Sequence, residues 1–270
     1  MSLTNKYYKL LSGYSESPLQ DARALLTYVL DGADPLLTWR ELDEKEEEKM
    51  LMCIAERKKG TPIAYITGEK EFMGLTFYVN ENTLIPRPDT ETIVETLIEE
   101  NPFENPVITD LCCGTGCIGI SLAYYIRNAT VTMWDISSGA LEIAQKNILR
   151  HNLSDRVVAE RGNVLEDCYP KSDIIVSNPP YIANSIADNL EVSKHEPSLA
   201  LKGGEDGLDF YRIMTPKAFD SLEEGGMLAF EIGYDQGEAV KQLMEEYFTN
   251  VKIKKDLADN DRMVYGYKKS

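Results

Sequence analysis

Apolar residues recur at Leu19, Ala22, Leu25, Leu26, Val29 and Leu30, the three-and-four spacing of an amphipathic helix. Ser17-Pro18-Leu19-Gln20 opens this stretch as a capping box with proline at the first helical position. A second helix is predicted from Asp43, whose acidic first turn suits the helix dipole and which Gly60 can end. The charge run Glu44–Lys49 falls on that helix as a solvated face. Residues 1–70 therefore read as a small helical domain without a catalytic constellation of its own.

From Tyr65 to Val79 the apolar period shortens towards that of a strand. Glu71-Phe72-Met73-Gly74-Leu75-Thr76-Phe77 predicts a short hairpin bridging two domains. Thr83-Leu84-Ile85-Pro86-Arg87-Pro88 is extended and stiffened by proline, so 71–88 is expected as hairpin and linker. Asp89 is expected to cap a helix carrying Ile93, Val94, Leu97 and Ile98. Strands are then predicted near 106–111, 129–134, 156–161, 172–177 and 226–231, with helices between most of them. Such alternation over 89–270 argues for an α/β domain with a parallel sheet covered on both faces. Segments 251–256 and 262–268, joined by the turn signal Asp259-Asn260-Asp261, predict two antiparallel strands ending the sheet.

The apolar share of 43% and charged share of 27% are those of an ordinary soluble globular protein. No run of 18 apolar residues occurs, and the N-terminus lacks a basic segment followed by an apolar one, so neither a membrane association nor secretion is expected. Five cysteines, an odd number, suit a reducing cytoplasm. With 45 acidic against 28 basic residues the formal charge is −17. A nucleic-acid backbone calls for the opposite balance, so no direct nucleic-acid partner is expected; a basic protein surface would be attracted.

Two motifs carry chemistry. Val107-Ile108-Thr109-Asp110-Leu111-Cys112-Cys113-Gly114-Thr115-Gly116 runs from a strand through a glycine-bearing turn into a helix, the layout of a nucleotide-binding corner. Asp135 ends the next strand at a spacing suited to a carboxylate on ribose hydroxyls. No Gly-Lys-Ser/Thr follows, so this is not a phosphate-binding P-loop. Asp110 before the turn suits a ligand with a cationic or amino end, and S-adenosylmethionine meets that description without any phosphate. The second motif, Asn178-Pro179-Pro180-Tyr181, closes the strand Asp173-Ile174-Ile175-Val176-Ser177. Two prolines cannot continue a ladder, so the chain leaves the sheet here. Beyond a strand's carboxyl end, an asparagine amide, a free proline carbonyl and a flat tyrosine can grip a planar NH2 group, either a nucleobase amine or a carboxamide. On its own the segment also reads as an ordinary Asn-Pro turn.

Cys112, Cys113 and Cys117 read as small residues packed in the turn rather than metal ligands, since adjacent cysteines rarely share one ion and no histidine is near; no metal is expected. His195 lies in a loop, and it and His151 read as surface or structural. Trp134 and Tyr211 read as core.

These motifs together are similar to those of the HemK family of class I methyltransferases, the bacterial release-factor glutamine methyltransferases. The resemblance extends through Pro62–Phe72, Leu84–Glu91, Glu196–Leu201, Gly203–Leu208 and Glu231–Gln236, nearly the whole chain. It implies a Rossmann-like methyltransferase domain, with a seven-stranded, mostly parallel sheet whose last strand is antiparallel. It also implies that the N-terminal helical domain helps recognise the substrate. The implied reaction methylates the side-chain amide of the glutamine in the Gly-Gly-Gln loop of peptide chain release factors, with S-adenosylmethionine as donor and S-adenosylhomocysteine as product. By motif, residues Cys112, Cys113, Gly114, Thr115 and Gly116 would hold the donor's amino-acid end, Asp135 the ribose, and Asn163 with Val164 the adenine. Asn178, Pro179, Pro180 and Tyr181 would bind the glutamine. Asn178 Oδ1 and the Pro179 carbonyl would each accept an amide N–H, and Tyr181 would pack on the amide plane. Cys112 stands where the family usually has glycine, and Asn163-Val164 where an Asp-Trp pair is common. A glutamine on a ribosomal protein is the sister substrate. Adenine methylation in nucleic acid, where the asparagine-proline motif also occurs, is disfavoured by the acidic balance and the absence of a basic recognition domain, and the intact Asn178–Tyr181 argues against binding of the donor without catalysis.

Overall fold

The computed structural model describes residues 3–38 and 40–269. Met1, Ser2, Trp39 and Ser270 fall inside the expected domain spans but outside the described residues. The chain divides into two units, residues 1–69 and 70–270.

In the first unit, α1 (Leu3–Leu11), α2 (Pro18–Val29), α3 (Glu44–Lys58) and the short α4 (Ile63–Thr67) enclose one apolar cluster. Tyr7, Leu11, Ala22, Leu25, Leu26 and Met50 are its fully buried members. The stripe on α2 is narrower than the sequence pattern suggests, because Leu19 is exposed. Pro18 does occupy the first turn, but the Ser17 side chain makes no capping bond. Instead Ser15 Oγ accepts the Ser17 N–H (3.0 Å) and donates to Asp21 (2.6 Å), which also takes Arg57 Nε at 2.7 Å. The capping box forms at α3, where Asp43 accepts the Glu46 N–H and Glu46 accepts the Asp43 N–H, each at 2.9 Å. The acidic run on α3 is not wholly solvated either: Glu46 binds Arg40, and Glu47 takes Lys6 and the Tyr7 hydroxyl.

Next comes the hairpin β1 (Glu69–Phe72) and β2 (Leu75–Tyr78), all but Glu69 in the second unit. Met73 and Gly74 both have positive φ (51° and 67°), the pair a tight two-residue hairpin requires. Phe72, Leu75 and Phe77 enter this unit's core, and Asn147 holds Tyr78 by its N–H (2.7 Å) and carbonyl (3.1 Å). Helix α5 (Glu91–Glu100) follows, but Asp89 does not cap it; a 3-10 turn, Pro88–Thr90, intervenes and Asp89 faces Arg262 at 3.4 Å.

Then come β3 (Val107–Leu111), α6 (Cys117–Tyr125), β4 (Thr130–Asp135), α7 (Ser138–Arg150), β5 (Val157–Arg161), β6 (Ser172–Ser177), α8 (Asn184–Ala187), α9 (Asp209–Ser221), β7 (Leu222–Glu231), α10 (Gly237–Glu245), β8 (Phe248–Lys255) and β9 (Asp261–Lys268). The seven-stranded sheet has the order β5-β4-β3-β6-β7-β9-β8. Neighbours are parallel as far as β7, and β9 runs antiparallel to both β7 and β8. The last strand thus inserts inside the edge instead of forming it. Ile174 and Val176 of β6 feed one apolar layer while Ile175 between them feeds the other, the two-residue period of a strand buried on both faces. Among the described residues no helix is long and apolar enough to cross a membrane.

Candidate active site

The chain travels outward from β3 through β4 to β5 and resumes at β6 on the other side of β3. Such a reversal opens a crevice beyond the carboxyl ends of the strands. Register brings the pieces level there, with Leu111 beside both Trp134 and Ser177. Cys112, Asp135 and Asn178, each just past or at the end of its strand, consequently line one cleft.

The turn after β3 is held from behind. Ser177 Oγ donates to the Leu111 carbonyl (2.6 Å), the Cys113 N–H to the Trp134 carbonyl (2.9 Å), and the Gly116 N–H to the Cys113 carbonyl (2.8 Å). Gly114 has φ 54°, and the space a Cβ would take there is open to 4 Å, so a ligand can approach the backbone. Cys112 has φ 61°, a left-handed conformation that normally favours glycine. The thiol at this position therefore preserves the turn's shape but not its ease. Burial pushes the Cys112, Cys113 and Cys117 thiols up, Cys117 to about 12, which leaves them as protonated packing groups.

Asp135 accepts the Gly114 N–H on one oxygen and the Ser137 N–H on the other, both at 2.9 Å. Burial raises its pKa against those two bonds. A carboxylate has about four acceptor positions, so ligand hydroxyls still find places on it. Asp110 lies deeper and is not part of the cleft wall. It is fully buried, its Oδ2 accepts the Gly119 N–H of α6 (2.9 Å), and its Oδ1 has no partner. Burial, then the nearby Asp135 charge, carries its pKa up to about 7.

Asn163 and Val164 both line the cleft, as do the apolar Ile136 and Ala140. Asn163 Oδ1 is engaged by the Leu165 N–H (3.1 Å), and the Val164 carbonyl by the Tyr169 hydroxyl (2.6 Å). Asn178 and Pro180 are in the wall; Gly116, Pro179 and Tyr181 are not. The ring of Tyr181 packs into the inner apolar cluster and its hydroxyl points to Glu231 Oε1 at 3.4 Å. It braces the turn from beneath. Glu231 is itself buried, and burial raises its pKa to about 7 against the pull of the Thr90 hydroxyl and the Arg262 cation.

Several groups in or behind the wall have partners that no local pattern reveals. Among the described residues Arg87 is the one Lys or Arg in the wall, and it is tied to the buried Glu196 at 2.5 Å; Glu196 also accepts the Ile85 N–H at 3.3 Å. That pair joins two stretches 109 residues apart, which no local pattern announces. Gly162 passes so close to Trp134 that a Cβ would stand 2.3 Å from the indole ring. His195 is not in the wall, and His151 is occupied elsewhere by the Thr76 carbonyl (3.0 Å). Among the described residues no group of three or more His, Cys, Asp and Glu side chains is set to hold a metal ion.

The family described as Methyltransferase small domain matches residues 88–195, and the PrmC N-terminal domain matches residues 3–68. Release factor glutamine methyltransferase of Clostridium botulinum is 44% identical over 230 residues, covering 83% of this chain and 81% of that one. The protein of the same name from Clostridium acetobutylicum is 41% identical over 273 residues, covering 97% and 96%. Among solved structures, a methyltransferase from Pyrococcus furiosus shares the fold, with a TM-score of 0.53 at 19% identity, covering 84% of this chain and 100% of that one. The strand reversal and its cleft, with these relatives spanning both units, make the chain a methyltransferase that belongs to the release factor glutamine methyltransferase family.

Proposed function

We propose that the protein transfers a methyl group from S-adenosylmethionine to the side-chain nitrogen of the glutamine in the Gly-Gly-Gln motif of peptide chain release factors, in the cytoplasm. The observation that carries the reading is Asn178. Asn178 lines the cleft at the strand reversal, one residue past Ser177, which stands level with Leu111 before the glycine turn. The names of the relatives supply the protein substrate, and the −17 charge favours a basic protein partner over nucleic acid.

The residues fit the donor. The open face of Gly114 admits its amino-acid end, the Asp135 oxygens suit ribose hydroxyls, and the apolar Val164, Ile136 and Ala140 suit adenine. A cationic ligand over the turn would favour the ionised form of Asp110, one oxygen of which is buried without a partner. When bound, the donor supplies an electrophilic methyl group on a sulfonium and leaves as S-adenosylhomocysteine.

An amide nitrogen is a weak nucleophile because its lone pair is shared with the carbonyl, so orientation is the main service the protein performs. Asn178 Oδ1, on a residue of the cleft wall, accepts one N–H of the glutamine amide and aims its nitrogen, and the carbonyl of Pro179, a residue outside that wall, is the acceptor the motif offers for the second N–H. Holding both protons also shifts electron density towards that nitrogen as the new bond forms. The extra proton passes to water after transfer, so no basic side chain need take it beforehand. Tyr181 steadies the turn through its buried ring.

Labelled S-adenosylmethionine incubated with purified release factor, a ribosomal fraction and DNA tests the substrate. Label in the release factor glutamine is expected, and label only in ribosomal protein or in DNA would overturn the reading. Asn178→Ala is expected to lower turnover at least about 100-fold, the scale of a misplaced near-attack geometry, with S-adenosylhomocysteine affinity largely kept. Near-normal turnover would remove Asn178 from its role.

A further inference from the structure

The Asn178–Tyr181 turn has a structural weakness written into its composition. Pro179 and Pro180 have no N–H, so two successive residues cannot anchor themselves by donating to the scaffold. Support must reach the turn from outside, through donors aimed at its carbonyls.

Gln236, half-buried just before α10, is such a donor. Its Nε2 donates to the Tyr181 carbonyl (2.9 Å) and to the Gly207 carbonyl (3.3 Å), while its Oε1 accepts the Gly233 N–H (2.9 Å). One carboxamide thus ties the end of β7 to the turn after β6 and to the Gly203–Gly207 loop behind it. That loop lies against the turn too closely for side chains. A Cβ on Gly207 would stand 2.3 Å from the Tyr181 carbonyl oxygen and 2.8 Å from Gln236 Nε2; one on Gly203 would stand 2.7 Å from the Pro180 carbonyl oxygen. The chain beyond the turn is clamped to the same loop by the Ile182 N–H to Leu201 (3.0 Å), the Gly203 N–H to Ile182 (2.8 Å) and the Asn184 N–H to Gly204 (2.8 Å). Gln236, Gly203 and Gly207 are all absent from the cleft wall.

We propose that Gln236 is a positioning residue for methyl transfer: by fixing the carbonyls of Tyr181 and Gly207 it holds the Asn178 carboxamide where the glutamine nitrogen must be aimed. The proposal rests on the role given to Asn178 above. Gln236→Glu tests it with little change of volume. The carboxylate keeps the bond from Gly233 but turns acceptors towards two carbonyls, so both donor bonds are lost. Gly207→Ala strikes the same contact from the other side and serves if the first variant folds poorly.

In either variant, hydrogen exchange at the Ile182 and Asn184 amides is expected to accelerate at least about tenfold, with the interior amides of β3 unchanged. With release factor as substrate, kcat is expected to fall about 30-fold or more while KM and the Kd for S-adenosylhomocysteine stay within about threefold. Unchanged exchange at Ile182 and Asn184, or a loss confined to KM, would overturn the proposal. If Asn178→Ala proved fully active, the role of Asn178 would fall with it; the exchange rates would still decide whether Gln236 holds the turn.

Discussion

Replacing Asp110 by asparagine should change how stability depends on pH. Asp110 is fully buried, and burial lifts its pKa from an ordinary carboxylate value to about 7. In the unfolded chain it titrates near the usual value of about 3.9. Between those limits the folded protein holds a proton that the unfolded chain has released, so the folded state binds more protons and stability falls as pH rises. The contribution is fully present below the unfolded pKa and is lost as pH climbs through about 7. From pH 5 to pH 8 the loss attributable to this one group comes to roughly 2–3 kcal/mol. An asparagine side chain cannot titrate, so the difference in stability between the Asp110→Asn variant and wild type should move by that amount in the variant's favour. The two side chains pack differently against the Gly119 N–H, which offsets the curves but leaves the pH trend intact. Urea unfolding followed by circular dichroism at several pH values measures this: with a slope of about 3 kcal/mol/M, the midpoint difference should shift by close to 1 M. Parallel curves for wild type and Asp110→Asn across pH 5–8 would refute the claim that Asp110 is protonated in the folded protein at low pH.

Two further substitutions probe the cleft. Asp135→Asn keeps the shape but turns an NH2 towards either the Gly114 or the Ser137 N–H, and removes the charge offered to the ribose. Losing charge-assisted bonds worth about 1.5–3 kcal/mol should weaken S-adenosylhomocysteine roughly 10- to 150-fold by calorimetry, and an unchanged Kd would place the ribose elsewhere. Gly162→Ala drives a methyl into the Trp134 ring, which is backed edge-on by Tyr169. Overpacking of this kind costs about 1–3 kcal/mol, and an unaltered thermal melt would show that the indole has room to move.

Much of the cleft is legible in the sequence because the groups that build it each follow a local strand pattern. The glycine turn, Asp135 and Asn178 each terminate a predicted strand, and parallel strands of one sheet end on the same side. Direction is harder to read than position. Tyr181 follows the two prolines, yet its ring turns inward towards Glu231, because a buried apolar cluster lies on that side. Asp110 precedes the turn, yet it serves the Gly119 N–H from inside the sheet instead of facing the cleft. At Ser17 the pattern predicts a capping box, but Ser15 and Asp21 satisfy the local groups first. The same four-residue pattern is realised at Asp43, where Glu46 keeps its bond from the Asp43 N–H while also binding Arg40.

What the amino-acid order determined by itself is the alternation of strand and helix, the two motifs at strand ends and the side of the sheet on which they meet. Those depend on local periodicity, on glycine's freedom and on proline's missing N–H, all properties of neighbours in the chain. Only the tertiary structure decided that β9 enters inside β8, that Arg87 pairs with Glu196, and that Gln236 reaches back 55 residues to the Tyr181 carbonyl. Each of those joins distant segments through a buried polar or ladder contact. Its partner is set by which groups remain unsatisfied once the layers have packed.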